Sequence, residues 1–168
     1  MLVQLHPGML VAVNIAAWLA VHLGAAWLGT RMPRRWFGPG QWLYLPRRWE
    51  RGGRFYRRGL RMNEWKRHLP DGAALFRGGF RKKRLASAEP AYLEAFVRET
   101  CRGEAVHWAV FACSPLFFLW NPWWAGLLMV GYGAAANLPC IVTQRFNRFR
   151  MVEILARRKM VHADNAVD

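Results

Sequence analysis

Two short segments of this 168-residue chain concentrate ionisable and amide side chains at either end of an uncharged stretch. The first reads E-T-C-R-G-E-A-V-H-W at 99–108, and the second reads N-L-P-C-I-V-T-Q-R-F-N-R at 137–148. Glu104 precedes His107 by three residues, a spacing that puts both side chains on one face of a helix. A carboxylate beside an imidazole fixes the tautomer of the ring and raises its basicity, as a general base requires. The spacing therefore predicts His107 as a base with Glu104 as its orienting partner.

The polar residues around this pair form a larger candidate site. Its members are Glu99, Arg102, Glu104, His107, Asn137, Gln144, Arg145, Asn147 and Arg148. The structural alternative is a clasp, in which Glu104 pairs with Arg145 or Arg148 and only holds two helices together. A clasp needs fewer polar groups, and ionisable side chains in lipid are costly enough to point to function, so the composition favours a site. Cys101, near the same cluster, is a weaker candidate for a nucleophile.

The uncharged stretch has the length of a transmembrane hairpin. Residues 105–120 and 123–143 are apolar runs of sixteen and twenty-one residues. At about 1.5 Å per helical residue, the first nearly spans a hydrocarbon core of about 30 Å and the second spans it fully. Asn121-Pro122 between them is a turn signal, and Gly126 and Gly133 allow close helix contact. Antiparallel helices joined at this turn are expected to bring the two polar segments to one membrane face.

Charge is strongly segregated along the chain. Residues 1–30 and 105–144 contain no Lys, Arg, Asp or Glu, whereas residues 31–104 contain 19 basic and 7 acidic residues and residues 145–168 contain 6 and 3. Charged blocks that alternate with uncharged runs of membrane length are typical of an integral membrane protein. We therefore predict a single all-α membrane domain over residues 1–168, with its first helix at about 9–30. The net charge of +15 flanks apolar spans, so nucleic acid is not an expected partner.

The basic residues also predict the topology. If basic segments stay in the cytoplasm, residues 31–104 and the tail 144–168 lie inside, which requires three crossings with the N-terminus outside. The prediction is one N-terminal transmembrane helix followed by a C-terminal helical hairpin over residues 105–143. A cleaved signal peptide is the alternative for residues 1–30, but this segment lacks a basic n-region and its apolar run is long. Asn14 and His22 within it are expected to make packing contacts.

Residues 31–104 form the predicted basic cytoplasmic interfacial segment. Between residues 45 and 69, arginines alternate with aromatic and leucine side chains, which is typical of segments that bury aromatics at the headgroups while cations meet anionic lipid. Pro70-Asp71-Gly72 is a predicted tight turn that fixes Asp71 close after Lys66. Asp71 either makes the turn's own side-chain hydrogen bond or belongs to the site, and both readings stay open. A helix is predicted to begin at Pro90 and to run toward the hairpin.

Motifs in order along nearly the whole chain resemble a known family. They are L-G-T-R-M-P-R-R-W-F at 28–37, W-K with D-G at 65–72, E-x-x-R-x-E-x-x-H-W at 99–108 and N-x-P-x-I-x-x-Q-R-F-N-R at 137–148. Together they resemble the bacterial glycosyl-4,4'-diaponeurosporenoate acyltransferases of staphyloxanthin-type carotenoid biosynthesis. The resemblance implies an enzyme of the bacterial cell membrane that transfers a fatty acyl group to a sugar hydroxyl of a glycosylated carotenoid.

The predicted site suits this chemistry, because acyl transfer to an alcohol needs a base for the hydroxyl proton and donors for the oxyanion. We expect His107 to be the base. The expected donors to the oxyanion or the sugar are Asn137, Gln144 and Arg145. The candidates to hold the phosphates of the acyl donor, acyl-CoA or acyl carrier protein, are Arg148, Arg102 and Lys66. No G-x-S-x-G, H-x-x-x-x-D or metal-ligand spacing occurs, so neither a serine nucleophile nor a metal or other cofactor is expected.

Two other functions fit the same residues. One is acylation of a different membrane glycolipid. The other is a non-catalytic membrane protein that binds lipid or assists assembly through its basic surface. A scaffold is expected to tolerate His107→Gln, whereas an enzyme that uses this imidazole as its base is not.

Overall fold

The computed structural model describes residues 6–66, 87 and 89–164, and this part of the chain is helical without any β-strand. Within it lie four α-helices: α1 (Pro7–Arg31), α2 (Met62–Trp65), α3 (Pro90–Ala112) and α4 (Trp123–Asp164). Short 3₁₀ turns occupy Arg34–Trp36, Trp42–Tyr44, Arg48–Gly53 and Ser114–Leu119, and a π-helical turn occupies Phe55–Gly59. The predicted all-α class is confirmed for these residues.

Helix α1 matches the predicted first helix. Pro7 occupies its first turn, where a missing N–H group costs nothing, and the His6 ring accepts a hydrogen bond from the Gly8 N–H at 3.3 Å. The helix ends at Arg31, since Pro33 disfavours helical backbone in the residue before it. Apolar side chains along α1 are largely exposed, which gives the helix a surface suited to lipid.

Helix α3 differs from the first predicted helix of the hairpin. It begins at Pro90, as predicted, but ends at Ala112, and the chain continues as the 3₁₀ turn Ser114–Leu119. The cause is Pro115, which has no amide hydrogen and disfavours helical backbone in the preceding residue. A continuous helix over residues 105–120 was therefore the wrong expectation.

Helix α4 is longer than the second predicted helix of the hairpin. The chain breaks at Asn121-Pro122, as predicted, and the helix begins at Trp123. It then continues beyond residue 143 as far as Asp164. The extension combines strong helix formers with an apolar stripe that packs into a core. Residues on this stripe include Met151, Ile154 and Leu155.

Two described helices are long and apolar enough to cross a membrane: α1, and α4 from Trp123 to Arg158. Helix α3 is not one of them, because five charged residues lie between positions 94 and 104. Its uncharged end, residues 105–112, extends only about 12 Å. Of the three predicted crossings, the first and the last are thus present as helices of membrane length.

The chain divides into two compact units, and the first comprises Met1–Met32 with Glu104–Ile141. The ring of Trp18 in its core stacks on that of Phe117, with centroids 4.5 Å apart. Asn14 donates to Oδ1 of Asn121 at 2.9 Å and accepts from the Trp120 indole at 2.8 Å. Asn14 therefore makes the packing contact that was predicted for it.

The second unit comprises Pro33–Gly103 with Val142–Asp168. It contains two apolar clusters, formed by Leu93, Phe96, Val97 and Met151 and by Tyr56, Met62 and Phe146. Residues 51–53, which precede Tyr56 in the chain, have left-handed backbone conformations, and φ of Gly53 is 86°. A Cβ at Gly53 would also lie 3.0 Å from Cβ of Phe149, so both backbone conformation and space require glycine there.

Candidate functional site

The predicted base, His107, lies in the first unit on α3, half-buried. Its Nδ1 is 3.0 Å from Oδ1 of the buried Asn137 on α4. The amide nitrogen of Asn137 donates to the backbone carbonyl of Gly133 at 2.9 Å, which turns the amide oxygen toward the ring. Because that oxygen can only accept, the network assigns the hydrogen of neutral His107 to Nδ1 and the lone pair to Nε2. Nε2 is then the atom that can take a proton.

Glu104, the predicted partner of His107, is fully buried one turn earlier on α3. Its Oε1 accepts a hydrogen bond from the Trp108 indole at 3.4 Å. The direct hydrogen-bond partner of the imidazole is Asn137. Sequence reasoning assigned Asn137 to the oxyanion or the sugar, because no local pattern connects residues on two different helices.

Gly133 allows the close packing that positions Asn137. A Cβ at Gly133 would clash with the hydroxyl of Ser114 and lie 3.1 Å from the Trp18 ring. Ser114 is itself buried, and its hydroxyl makes no hydrogen bond within the described residues. The predicted small-residue contact is therefore confirmed at Gly133, whose carbonyl also holds the Asn137 amide.

A buried ion pair between Glu50 and Arg145 ties the second unit together. Nη1 of Arg145 lies 2.6 Å from Oε1 of Glu50, and Nη2 donates to the Leu43 carbonyl at 2.8 Å. The Glu50 carboxylate also accepts hydrogen bonds from the Tyr56 hydroxyl and the Arg47 backbone N–H. Glu50 is fully buried, so these three donors replace the water that it loses on folding.

Tyr56 keeps its proton in this arrangement. Burial raises the pKa of the Tyr56 phenol well above its ordinary value, and the hydrogen bond to the Glu50 carboxylate raises it further. Neither Glu50 nor Tyr56 was among the predicted site residues. The available signal was that Glu50 is the single acidic residue between positions 31 and 63, in a strongly basic segment.

Two of the predicted phosphate ligands, Arg102 and Arg148, have partners in the second unit. Arg102 forms an ion pair with Glu99, with Nη2 and Oε2 2.5 Å apart. The buried Arg148 donates from Nη1 to Sγ of Cys101 at 3.6 Å, and its guanidinium lies 5.4 Å from the centroid of the Tyr44 ring. Both arginines thus take part in packing within this unit.

Lys66, the third predicted phosphate ligand, follows α2 directly. Its Nζ donates to Oδ1 of Asn147 at 3.4 Å and lies 4.8 Å from the centroid of the Phe146 ring. Burial lowers the pKa of Lys66, and the nearby positive charge of Arg150 lowers it further. The structure therefore joins two members of the predicted site, Lys66 and Asn147, that are 81 residues apart in sequence.

The predicted site residues divide between the two units. Those of the first unit are Glu104, His107 and Asn137. Those of the second unit are Lys66, Glu99, Arg102, Gln144, Arg145, Asn147 and Arg148. Gln144 is half-buried on α4, and Asp71 lies outside the described residues.

Known proteins with sequences similar to this chain share one family name. A family model described as glycosyl-4,4'-diaponeurosporenoate acyltransferase matches residues 33–157. Proteins of that name from Staphylococcus aureus align over 138 residues, which cover 82% of this chain and 83% of the relative. The identity is 30% for strains bovine RF122 / ET3-1 and MRSA252 and 29% for strain USA300. No solved structure matches the chain.

Proposed function

We propose that this chain, which belongs to the glycosyl-4,4'-diaponeurosporenoate acyltransferase family, esterifies a sugar hydroxyl of a glycosylated carotenoid with a fatty acyl group. The observation that carries the proposal is the family match over residues 33–157. The chemistry of the first unit supports it, because His107 presents its lone pair on Nε2 while Asn137 holds Nδ1. Esterification of an alcohol requires a base of this kind.

In the proposed reaction, Nε2 of His107 takes the proton of the sugar hydroxyl as the hydroxyl oxygen attacks the carbonyl carbon of an acyl thioester. The tetrahedral oxyanion then collapses, the carbon–sulfur bond breaks, and the proton passes from His107 to the departing thiolate. The products are the ester and a free thiol. Acyl-CoA or acyl carrier protein supplies the thioester, and the cycle needs no resident cofactor.

Two side chains assist His107 in this scheme. Asn137 accepts the Nδ1 hydrogen, which keeps the ring oriented while positive charge develops on it. Glu104, one turn away on the same helix, takes the orienting role that its three-residue spacing to His107 predicts. Both are positioning residues, whereas His107 touches the reacting hydroxyl.

For the membrane arrangement we propose three crossings of the bacterial cell membrane. Helix α1 and the first part of α4 have the length and composition for two of them. The uncharged end of α3 and the following 3₁₀ turn form the third, with a combined length of about 24 Å. The basic segments then face the cytoplasm and the N-terminus faces outward.

Membranes from a host without carotenoid genes provide the test of the substrate. Such membranes, carrying the inserted chain, are incubated with radiolabelled acyl-CoA and a glycosylated carotenoid, and the esters are identified by mass spectrometry. We expect a labelled ester with the glycosylated carotenoid and none with the sugar-free carotenoid.

A diacylglycerol glycoside serves as the parallel acceptor. If only this lipid is labelled, the chain acylates a different membrane glycolipid. If neither acceptor is labelled with acyl-CoA or with acyl carrier protein as donor, the alternative of a non-catalytic lipid-binding or assembly protein is favoured instead.

A further inference from the structure

Two cations of the second unit lie over a single buried aromatic ring. Nζ of Lys66 is 4.8 Å and the guanidinium carbon of Arg150 is 5.8 Å from the centroid of the Phe146 ring. Phe146 is 1% exposed. Phe146 and Arg150 are four residues apart on α4 and so share a face of that helix, while Lys66 reaches the same ring from the end of α2.

Neither cation has an anionic partner within residues 6–66, 87 and 89–164. Five other arginines of the unit do form ion pairs within the described residues. Those pairs are Arg145 with Glu50, Arg102 with Glu99, Arg61 with Glu64, and both Arg57 and Arg157 with Glu153. Lys66 instead donates to the neutral amide oxygen of Asn147, which leaves the NH₂ group of that amide as a further donor.

The two charges also act on each other unfavourably. Partial burial lowers the pKa of Lys66, and repulsion from Arg150 lowers it further. A single cation over an aromatic ring is a common stabilising contact. A second cation at the same ring adds repulsion between the two positive charges. An anion bound to both would remove that repulsion, and Arg150 is exposed, so such an anion can arrive from solvent.

We propose that Lys66 and Arg150, with the amide of Asn147 beside them, form a phosphate-binding site. Lysine binds phosphate as a point charge, and the guanidinium fork of arginine matches two phosphate oxygens. A total charge of two suits a phosphate monoester or a diphosphate better than a single carboxylate. The assignment of this phosphate to the carrier portion of the acyl donor rests on the function proposed above, whereas phosphate binding itself does not. A phospholipid headgroup is the other source of the same chemistry.

The test measures binding without turnover. The full chain is purified in a maltoside detergent, which contains no phosphate, and titrated with coenzyme A by isothermal calorimetry. We expect Lys66→Gln and Arg150→Gln each to weaken binding by about tenfold or more. The matched control is Arg157→Gln, which removes the same charge from an exposed position on the same helix and should change the affinity by less than about twofold.

A second titration with phosphatidylglycerol in the same micelles distinguishes the sources. Binding of coenzyme A that depends on Lys66 and Arg150 assigns the site to the acyl donor. Dependence on the two residues for phosphatidylglycerol alone assigns the phosphate site to a lipid headgroup. Equal effects of all three substitutions, or no effect of Lys66→Gln on either ligand, would overturn the proposal. Because the assay contains neither carotenoid nor product, such a failure leaves the proposed acyl transfer untouched.

Discussion

At the scale of single residues, the Glu50 carboxylate is a buried charge whose stability in the second unit depends on its hydrogen-bond partners. It is fully buried and accepts hydrogen bonds from Arg145, Tyr56 and the Arg47 backbone. Removing the charge leaves the Arg145 guanidinium, 10% exposed, without its counter-ion. Loss of one partner from a buried pair is strongly destabilising even where the pair itself contributes little.

We therefore expect Glu50→Gln to lower the free energy of unfolding by about 3 kcal/mol, measured by denaturant titration in mixed micelles. The control is Glu64→Gln, which removes the same charge from an exposed pair with Arg61 and should cost less than about 1 kcal/mol. Equal stabilities of the two variants would mean that Glu50 and Arg145 do not hold this unit together.

Tyr56 gives the same cluster a defined pH dependence. Its raised pKa keeps the phenol protonated in the folded chain when an unfolded tyrosine begins to ionise, near pH 10. The stability that this group contributes is therefore complete below about pH 10 and is lost as the pH rises further, by at most about 1.4 kcal/mol per pH unit. The difference in unfolding free energy between wild type and Tyr56→Phe should accordingly shrink as the pH rises from about 10 to 12. A difference that stays constant over this range contradicts the assignment.

Residue type and local spacing identify side chains able to do chemistry but not their partners. His107 and Glu104 are predicted site residues because three residues separate them on one helix. Asn137 lies 30 residues from the imidazole that it contacts, and Glu50 lies 95 residues from its arginine. Contacts over such separations depend on how helices pack, which no local pattern encodes.

At the scale of elements, Gly133 decides how closely α4 approaches its neighbours in the first unit. A methyl group there would meet the Ser114 hydroxyl and the Trp18 ring, and overpacking of this kind costs about 1–3 kcal/mol. We expect Gly133→Ala to destabilise the chain by that amount, measured by denaturant titration. Gly131→Ala, on the same helix with nothing within 4 Å, should be neutral or stabilising by up to about 1 kcal/mol. Equal effects would show that Gly133 is not a packing contact.

Helix starts were more predictable than helix ends. Proline at position 90 and the Asn121-Pro122 pair mark the beginnings of α3 and α4 correctly, because proline fits the first turn or stops the preceding element. The end of α3 at Ala112 was missed because residues 105–120 form one apolar run, and hydropathy does not show that Pro115 interrupts the helix. The end of α4 was missed because charge was taken to mark the end of a helix, although charged residues do not interrupt one.

At the scale of the whole molecule, the segregation of charge is the property that sequence reveals best. Alternating charged and uncharged blocks predicted both helices that the structure shows to be of membrane length. Residues 105–119 are also uncharged, but there the structure has the end of α3 followed by a 3₁₀ turn, an arrangement that hydropathy does not distinguish from one continuous helix.

The proposed topology is open to direct measurement. Reporters fused after Asp168 and within residues 73–88 should both read cytoplasmic, because both lie in basic segments. Alkaline phosphatase and fluorescent-protein fusions give opposite signals and serve as mutual controls. A periplasmic signal from either position would exclude three crossings with the N-terminus outside.

The clasp alternative and the catalytic reading predict different activities for the same substitutions. If Glu104 and Arg145 only hold helices together, Glu104→Gln and Arg145→Gln reduce the amount of inserted protein, and activity falls only in proportion. The structure gives Arg145 a structural partner in Glu50, so we expect Arg145→Gln to act mainly through abundance. Activity must therefore be expressed per molecule of inserted chain.

The most direct test of the central claim is acyl ester formed per molecule of membrane-inserted protein for wild type, His107→Gln and Glu104→Gln. With His107 as the base, His107→Gln should insert normally and lose about 10²- to 10⁴-fold in specific activity. Glu104→Gln should lose less, since Glu104 only orients the imidazole. Near-wild-type specific activity in His107→Gln would contradict the catalytic role of this residue and turn attention to Cys101 and Asp71.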